Sequence, residues 1–306
     1  MKNGDLPKVT VGLCVRNCEK TIAETIESII NVDYPRDKFQ LIVVDGCSSD
    51  STVKVIRDKL KDADINAVIL SDERRGLSYA RQMVVDHCDS EYIVWVDGDN
   101  VLPTNFLRSQ VRYMEENLKI GFAGVKIVPL GRSIVSRLQG YQWVIPASDW
   151  RKAGYFMGKT GIQGTICRVE AIRSVGGFDL SIEGAGEDVD LFIRMRLTDW
   201  EIGSNNGTRI YHYMRDTWRS LYKESVWWGY GTAYIASKHK TLFPSLKRRA
   251  GFAIVDCVKL TFKSFRLTKD LACVMMPIHY GLRRLGFLVG HIRAHKSGYA
   301  PAPANS

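Results

Sequence analysis

Tyr92-Ile93-Val94-Trp95-Val96-Asp97-Gly98-Asp99 runs from an apolar strand straight into an acidic turn. Five consecutive large apolar residues are too continuous for a strand with one wet face, and they predict an interior strand of a parallel sheet. Two carboxylates, one glycine apart, stand at its carboxyl end. Such a pair can share one hard cation, and oxygen ligands suit Mg²⁺ or Mn²⁺, which in turn hold diphosphate oxygens. Taken alone, an Asp-x-Asp tripeptide is weak, because most are surface turns.

The flanking sequence repeats the pattern. Val9-Thr10-Val11-Gly12-Leu13-Cys14-Val15 predicts a first strand, and residues 21–30 a helix with Ile22, Ile26, Ile29 and Ile30 on one face. Strands at 40–44 and 67–70 alternate with helices at 51–60 and 78–88, and a helix at 104–117 leads to a strand at 121–128. Alternation of this length predicts an α/β fold with a doubly wound, mostly parallel sheet flanked by helices. Ligands of such sheets bind beyond the carboxyl ends of the strands. Asp45, Asp72, Asp97 and Asp99 all fall there. Solvated loops explain any one of these carboxylates, and explain the set less well. Asp50 or Ser51 is expected to cap the second helix.

Beyond residue 130 the pattern is mixed, with glycine turns at 158–164 and at Gly176-Gly177. Gly161-Ile162-Gln163-Gly164-Thr165 reads either as the lining of an acceptor site or as a strand-entry turn. Gly184-Ala185-Gly186-Glu187-Asp188-Val189-Asp190 sets glycines ahead of carboxylates. One of them can take a proton from a hydroxyl; the plainer reading, preferred for Glu187 and Asp190, is acids favoured by a helix start. Asn206-Gly207-Thr208 matches a glycosylation sequon and is expected to be a turn.

Composition is that of a globular chain: 306 residues, 45% hydrophobic and 25% charged. The seven cysteines include no Cys-x-x-Cys pair and read as reduced thiols of a cytoplasmic protein. The polar start predicts no secretory signal, and no apolar run reaches the length of a spanning helix. The net charge of +10 is concentrated. Between Lys238 and Lys296 stand 13 Lys and Arg against Asp256 and Asp270 alone. Local basicity of this kind calls for a polyanionic partner.

The motifs resemble, in order, those of glycosyltransferase family 2, inverting enzymes with the GT-A fold. The matching pieces are Val15-Arg16-Asn17, Val44-Asp45-Gly46-Cys47-Ser48-Ser49-Asp50, Gly76-Leu77-Ser78-Tyr79-Ala80-Arg81, Val96-Asp97-Gly98-Asp99, Val175-Gly176-Gly177-Phe178-Asp179, Gly186-Glu187-Asp188-Val189-Asp190-Leu191 and Tyr211-His212. The resemblance implies a metal-dependent transfer of a sugar from a nucleotide-sugar, UDP being the family's commonest nucleotide, to a hydroxyl of a glycan or lipid-linked acceptor. It implies that Asp45, Asp72, Arg81, Asp97 and Gly98 hold the donor, with a helix-face salt bridge as the alternative for Arg81 and a metal contact as the alternative for Asp97. Asp99 would ligate Mn²⁺ or Mg²⁺, and His212 takes the place of an extra ligand in some relatives, a structural histidine being the alternative. Asp188 is the general base. Gln163, Glu187, Trp227 and Trp228 are the acceptor candidates, the two Trp because sugars stack on aromatic faces. Gln82 and Cys47 depart from the usual Asn and Ser.

Residues 1–217 are thus expected to form the catalytic domain, with a nucleotide half to residue 130 and an acceptor half to 217. Residues 218–296 would form aromatic, basic, amphipathic C-terminal helices, and 297–306 a disordered tail. Apolar residues between Phe252 and Ile292 alternate with Lys and Arg, Lys247-Arg248-Arg249 preceding them. That composition predicts helices lying on an anionic membrane, on its cytoplasmic face, the alternative being helices that pack on the catalytic domain with solvated basic faces. The competing classes are a polyprenyl-phosphate sugar transferase, a sugar nucleotidyltransferase and a basic binding protein. Arg16-Asn17-Cys18-Glu19 stands where a nucleotidyltransferase carries a Gly-rich basic loop. The acidic strand ends would repel nucleic-acid phosphates, so no nucleic-acid partner is expected.

Overall fold

The computed structural model describes residues 6–144, 161–239 and 254–299. The chain divides into two compact units. The first comprises Met1–Ile127, Thr160–Glu183 and Glu187–His212; the second comprises Val128–Lys159, Gly184–Gly186 and Tyr213–Ser306.

The sheet grows from β1 (Val9–Val15), which pairs in parallel with β2 (Phe39–Asp45) and with β4 (Tyr92–Asp97). Strand β3 (Asn66–Ser71) lies parallel beyond β2. Among the described residues the sheet has eight strands in the order β3-β2-β1-β4-β7-β6-β8-β5. Strand β5 is the short Asn100–Val101, β6 is Ile120–Leu130, β7 is Ile166–Arg168 and β8 is Glu201–Tyr213. Beyond β4 the sheet turns mixed: β7 runs antiparallel to both β4 and β6, and β5 antiparallel to β8. Asn206-Gly207-Thr208 lies inside β8, which corrects the expected turn. The Asn205 side chain accepts from the Gly207 amide and donates to the Ser109 carbonyl, so polar residues are held in an extended strand by side-chain bonds.

Helices α1 (Ile22–Ile30), α2 (Thr52–Leu60) and α3 (Leu77–Asp86) follow the first three strands, and α4 (Phe106–Glu116) follows β5. Ile22, Ile26 and Ile29 are fully buried, as their spacing requires. The first-unit core gathers Ile42, Val84, Ile93, Phe122 and Leu191 around Trp95, which meets Phe178 edge-to-face at 5.4 Å. Burying side chains of this size stabilises by ~1.5–3 kcal/mol each. Two short helices, α6 (Val169–Ser174) and α7 (Glu187–Met195), complete this unit.

The second unit is helical: α5 (Ile134–Val144), α8 (Trp218–Lys238), α9 (Ile254–Thr268), a 3₁₀ turn over Leu271–Met275, and α10 (Met276–Lys296). Thr217 caps α8 in a reciprocal capping box with Ser220. Helices α8 and α10 touch backbone to backbone at glycines. A Cβ on Gly290 would sit 1.9 Å from the Val226 carbonyl oxygen, and one on Gly229 would sit 2.0 Å from that of Phe287. Leu138 and Tyr141 pack on Cys273, Met276 and Tyr280, and the Tyr141 hydroxyl meets the Asp270 carboxylate. Burial drives the His279 pKa down to about 3, assisted by Arg283, so this imidazole is neutral.

Of the expected tail, residues 297–299 are described, and Tyr299 stacks on Tyr230 at 4.6 Å. Residues 300–306, Lys247-Arg248-Arg249, Phe252 and residues 158–160 lie outside the described residues.

Candidate active site

Parallel pairing fixes which carboxylates share an edge. Val15 lies opposite Asp45 and Cys14 opposite Asp97, so the ends of β1, β2 and β4 are level to within one residue. Asp45 and Asp72 are both buried. Asp45 accepts from the Ser48 hydroxyl at 2.6 Å and from the Ser48 amide at 3.0 Å. Asp72 accepts from the amides of Arg74 and Gly76, closing a turn in which Glu73 and Arg74 are left-handed. Each carboxylate thus organises its own loop as well as facing the strand-end edge. Asn17 ties two of these loops together, since its amide donates to Ser48 Oγ and its side chain accepts from the Ser49 amide. Asp50 accepts from the Thr52 amide, the first of α2, while Ser51, the N-cap residue, makes no side-chain capping bond. The small burial of Asp50 would raise its pKa, but the bonds from Thr52 and Glu19 outweigh this and hold it below the ordinary value.

The Asp97-Gly98-Asp99 turn is braced from three sides. The buried Asn100 side chain accepts from the Asp97 amide at 3.0 Å. The Thr21 hydroxyl donates to the Gly98 carbonyl at 2.7 Å. A Cβ on Gly98 would lie 2.6 Å from Cys18 Sγ, so a side chain here would require the Cys18 thiol to move. Pairing of β5 with β8 sets Asn100 opposite His212 and brings Asp99 Oδ1 to 3.4 Å from His212 Nε2. Adjacent donors each ~2.1 Å from an octahedral cation stand ~3.0 Å apart, so a closing of a few tenths of an ångström would bring the pair into two positions of a divalent shell. Among the described residues, three or more His, Cys, Asp or Glu side chains are nowhere grouped to hold a metal by themselves. Any cation here would therefore draw its other ligands from diphosphate oxygens and water, as Mg²⁺ commonly does.

Arg81 lies at the centre of this edge. It is buried, pairs with the equally buried Glu187 and lies 3.6 Å from Asp97. Burial works against its charge, but Glu187 and then Asp97 more than compensate, so its pKa is raised. Burial lifts the Glu187 pKa to about 7, with Arg81 pulling it down. Burial also raises the Asp97 carboxyl, again against Arg81. Of the two readings of Arg81, the salt bridge is therefore present, formed across 106 residues of sequence rather than along a helix face. Glu187 is turned toward Arg81, not toward solvent.

Asp188 follows at the first turn of α7. It is buried, and its carboxylate accepts from the Ile162 amide at 3.2 Å and from the Val189 amide at 2.8 Å. Ile162 belongs to the turn that enters β7, held to β4 by the bonds of Gly164 and Thr165 with Trp95. Gln163 sits half-buried on that turn, one residue from the amide that holds Asp188. Asp190 is fully buried and pairs with Arg194, which also donates to the Val175 and Gly177 carbonyls. The Gln82 side chain accepts from the Phe178 amide, so this departure from the family pattern is a scaffold contact. Trp227 and Trp228 belong to the second unit, where they are half-exposed on α8 and edge-to-face at 6.4 Å.

The first unit therefore brings together Asp45, Asp72, Arg81, Asp97, Gly98, Asp99, Gln163, Glu187, Asp188 and His212. Sequence reasoning missed the braces Thr21 and Asn100. Asn100 had no local signal, because its side chain accepts from an amide three residues back rather than two residues on, as an Asx turn would.

Residues 10–169 match the family described as Glycosyl transferase family 2, and residues 92–292 match Glycosyl transferase family group 2. The probable glycosyltransferase YdaM of Bacillus subtilis is 24% identical over 257 residues, which cover 80% of this chain and 60% of the relative. The chain spans about half to three-fifths of the length of the curated relatives it matches first. The mannosyltransferase PcManGT from Pyrobaculum calidifontis, in complex with GDP-Man and Mn²⁺, is 17% identical with a TM-score of 0.59, covering 97% of this chain and 88% of that one. Staphylococcus aureus TarS 1-349, in complex with UDP-GlcNAc, is 15% identical with a TM-score of 0.52, covering 97% and 93%. These likenesses establish the GT-A fold.

Proposed function

Since the chain belongs to glycosyl transferase family 2, we propose that it is an inverting, metal-dependent glycosyltransferase using a nucleotide-sugar donor, a UDP-sugar first. One observation carries this reading. A two-donor cation position, Asp99 with His212, shares the first unit with the amide-held carboxylate of Asp188.

A divalent cation held by Asp99 and His212 would neutralise charge developing on the departing diphosphate. Asp45 and Asp72, at the ends of β2 and β3, serve the nucleoside, and Arg81 keeps Asp97 and Glu187 in register. Asp188 accepts the proton of the acceptor hydroxyl. That oxygen bonds to C1 of the sugar from the face opposite the diphosphate, the C1–O bond to the diphosphate breaks, and the nucleoside diphosphate leaves. One displacement inverts the anomeric centre, so no covalent glycosyl-enzyme is required. Gln163 is the acceptor candidate of the first unit, and the half-exposed Trp227 and Trp228 are the sugar-stacking candidates of the second.

The acceptor is a glycan or lipid-linked hydroxyl, met at an anionic membrane surface. No helix among the described residues is long and apolar enough to cross a membrane. Yet Leu271, Val274, Ile278, Leu285, Leu288 and Ile292 are exposed. The α10 members recur at helical spacing on the side opposite the buried Gly286, Gly290 and Ala294. A helix apolar on both faces, with Arg284, Arg293 and Lys296 exposed beside the stripe, has the composition of an interfacial helix.

Release of nucleoside diphosphate from UDP- and GDP-hexoses, with and without Mn²⁺, tests the donor assignment. Metal-dependent release from one nucleotide class is expected. Failure with every nucleotide-sugar, despite a folded protein, would overturn it. GDP-mannose enters the panel because a structural neighbour holds it.

A further inference from the structure

The Trp227-Trp228-Gly229-Tyr230-Gly231 stretch has no motif form of its own, but one of its glycines occupies a constrained place. Within the second unit, Gly184-Ala185-Gly186 lies directly on helix α8. A Cβ on Gly231 would fall 1.8 Å from the Ala185 carbonyl oxygen and 2.5 Å from the Ala185 nitrogen. In the other direction, a Cβ on Gly184 would fall 2.7 Å from the Gly231 nitrogen. One turn further along α8, Ile235 Cγ1 stands 2.9 Å from the place of a Gly186 Cβ. Gly186 has φ +113°, a conformation that suits glycine. Ala185 and Ile235 are each 2% exposed, and Gly184, Gly186 and Gly231 are buried. The next two residues of the chain are Glu187 and Asp188.

We propose that Gly231, with Ile235, is a positioning residue for catalysis: α8 sets the path of the Gly184–Gly186 loop, and the chain runs from that loop directly into Glu187 and Asp188. The proposal rests on the assignment of Asp188 as proton acceptor. The obstacle at position 231 is backbone on both sides, so no side-chain rotation relieves it. Carbon and oxygen in contact stand ~3.3–3.6 Å apart, so Gly231→Ala would displace the loop by roughly 1.5 Å. A misplacement of about 1 Å can cost on the order of 100-fold in rate. Asp45, Asp72 and Asp97 stand at the ends of β2, β3 and β4 rather than on this loop, and Asp97 is reached from it only through Glu187 and Arg81, so turnover is expected to fall further than donor affinity.

The experiment compares Gly231→Ala, Ile235→Val and Asp188→Asn with wild type in the full chain. It uses nucleoside diphosphate release from the hexose nucleotide that wild type cleaves with Mn²⁺. Thermal shift by UDP or GDP with Mn²⁺ reports donor binding. Gly231→Ala is expected to lower kcat about 10- to 100-fold and Ile235→Val about 3-fold. KM for the donor and the nucleotide-induced thermal shift should stay within about 2-fold of wild type in both. Unchanged kcat in both variants, or loss of donor binding in step with kcat, overturns the positioning role. If Gly231→Ala does not fold, Ile235→Val decides alone by the same split. A fully active Asp188→Asn removes the base assignment itself. An inactive Asp188→Asn beside fully active Gly231→Ala and Ile235→Val removes the present inference alone.

Discussion

Arg81→Met isolates the buried ion pair that joins α3 to the start of α7. Arg81 and Glu187 face each other with side chains only 6% and 3% exposed, and Asp97 is 3.6 Å from the same guanidinium. Methionine fills similar volume without charge, so the change leaves Glu187 buried without this cation. Breaking one partner of a buried pair costs ~3–5 kcal/mol, whereas replacing both is often close to neutral. The cost should depend on pH. Without Arg81, burial raises the Glu187 and Asp97 carboxyls further above their ordinary values. Carboxyls raised in the folded state favour folding below their unfolded values, and that contribution is lost as pH rises through the folded ones. Arg81→Met should therefore lose ~3–5 kcal/mol at pH 8 and clearly less at pH 6, measured by urea unfolding with circular dichroism. Arg81→Met combined with Glu187→Gln should recover at least half of the pH 8 loss. A single variant within about 1 kcal/mol of wild type at pH 8, or equally destabilised at both pH values, would refute this electrostatic account.

Gly290→Ala sets two effects against each other. Helix propensity favours alanine by up to ~1 kcal/mol, but its Cβ would fall 1.9 Å from the Val226 carbonyl oxygen. Overpacking of ~1–3 kcal/mol should win, and a raised melting temperature would argue against the close α8–α10 approach. His212→Ala should weaken Mn²⁺ activation about 10-fold or more in a metal titration while leaving the fold intact; an unchanged Mn²⁺ midpoint removes His212 from the metal shell. Ile278→Glu with Leu285→Glu should abolish sedimentation with vesicles containing anionic phospholipid. Equal sedimentation by the variant counts against the lipid-facing stripe.

The parallel half of the sheet was legible because continuous apolar runs and helical spacing both follow from burial. Residues 9–15, 40–44 and 92–96 became β1, β2 and β4 with boundaries shifted by a residue at most. The strand-end carboxylates followed from the topology. Strand β7 was not legible because three residues carry no period, and β8 was legible only at its strand-like end, Arg209-Ile210-Tyr211, because Ser204, Asn205 and Asn206 look like loop residues until their bonds are seen. The Arg81–Glu187 pair joins positions 106 residues apart, which no local pattern encodes. Gly231 looked like an ordinary helix glycine. Its constraint comes from a backbone carbonyl on another segment, and backbone carries no sequence signature.

Asp188 carries the chemistry in this account, and Asp188→Asn tests that most directly because it keeps shape and removes the proton acceptor. The paired quantities are turnover of the cleaved nucleotide-sugar and binding of the nucleoside diphosphate with Mn²⁺. A fall in kcat of about 1,000-fold or more, with nucleotide binding within about 2-fold of wild type, is the predicted result. Turnover within about 10-fold of wild type would contradict the role given to this carboxylate.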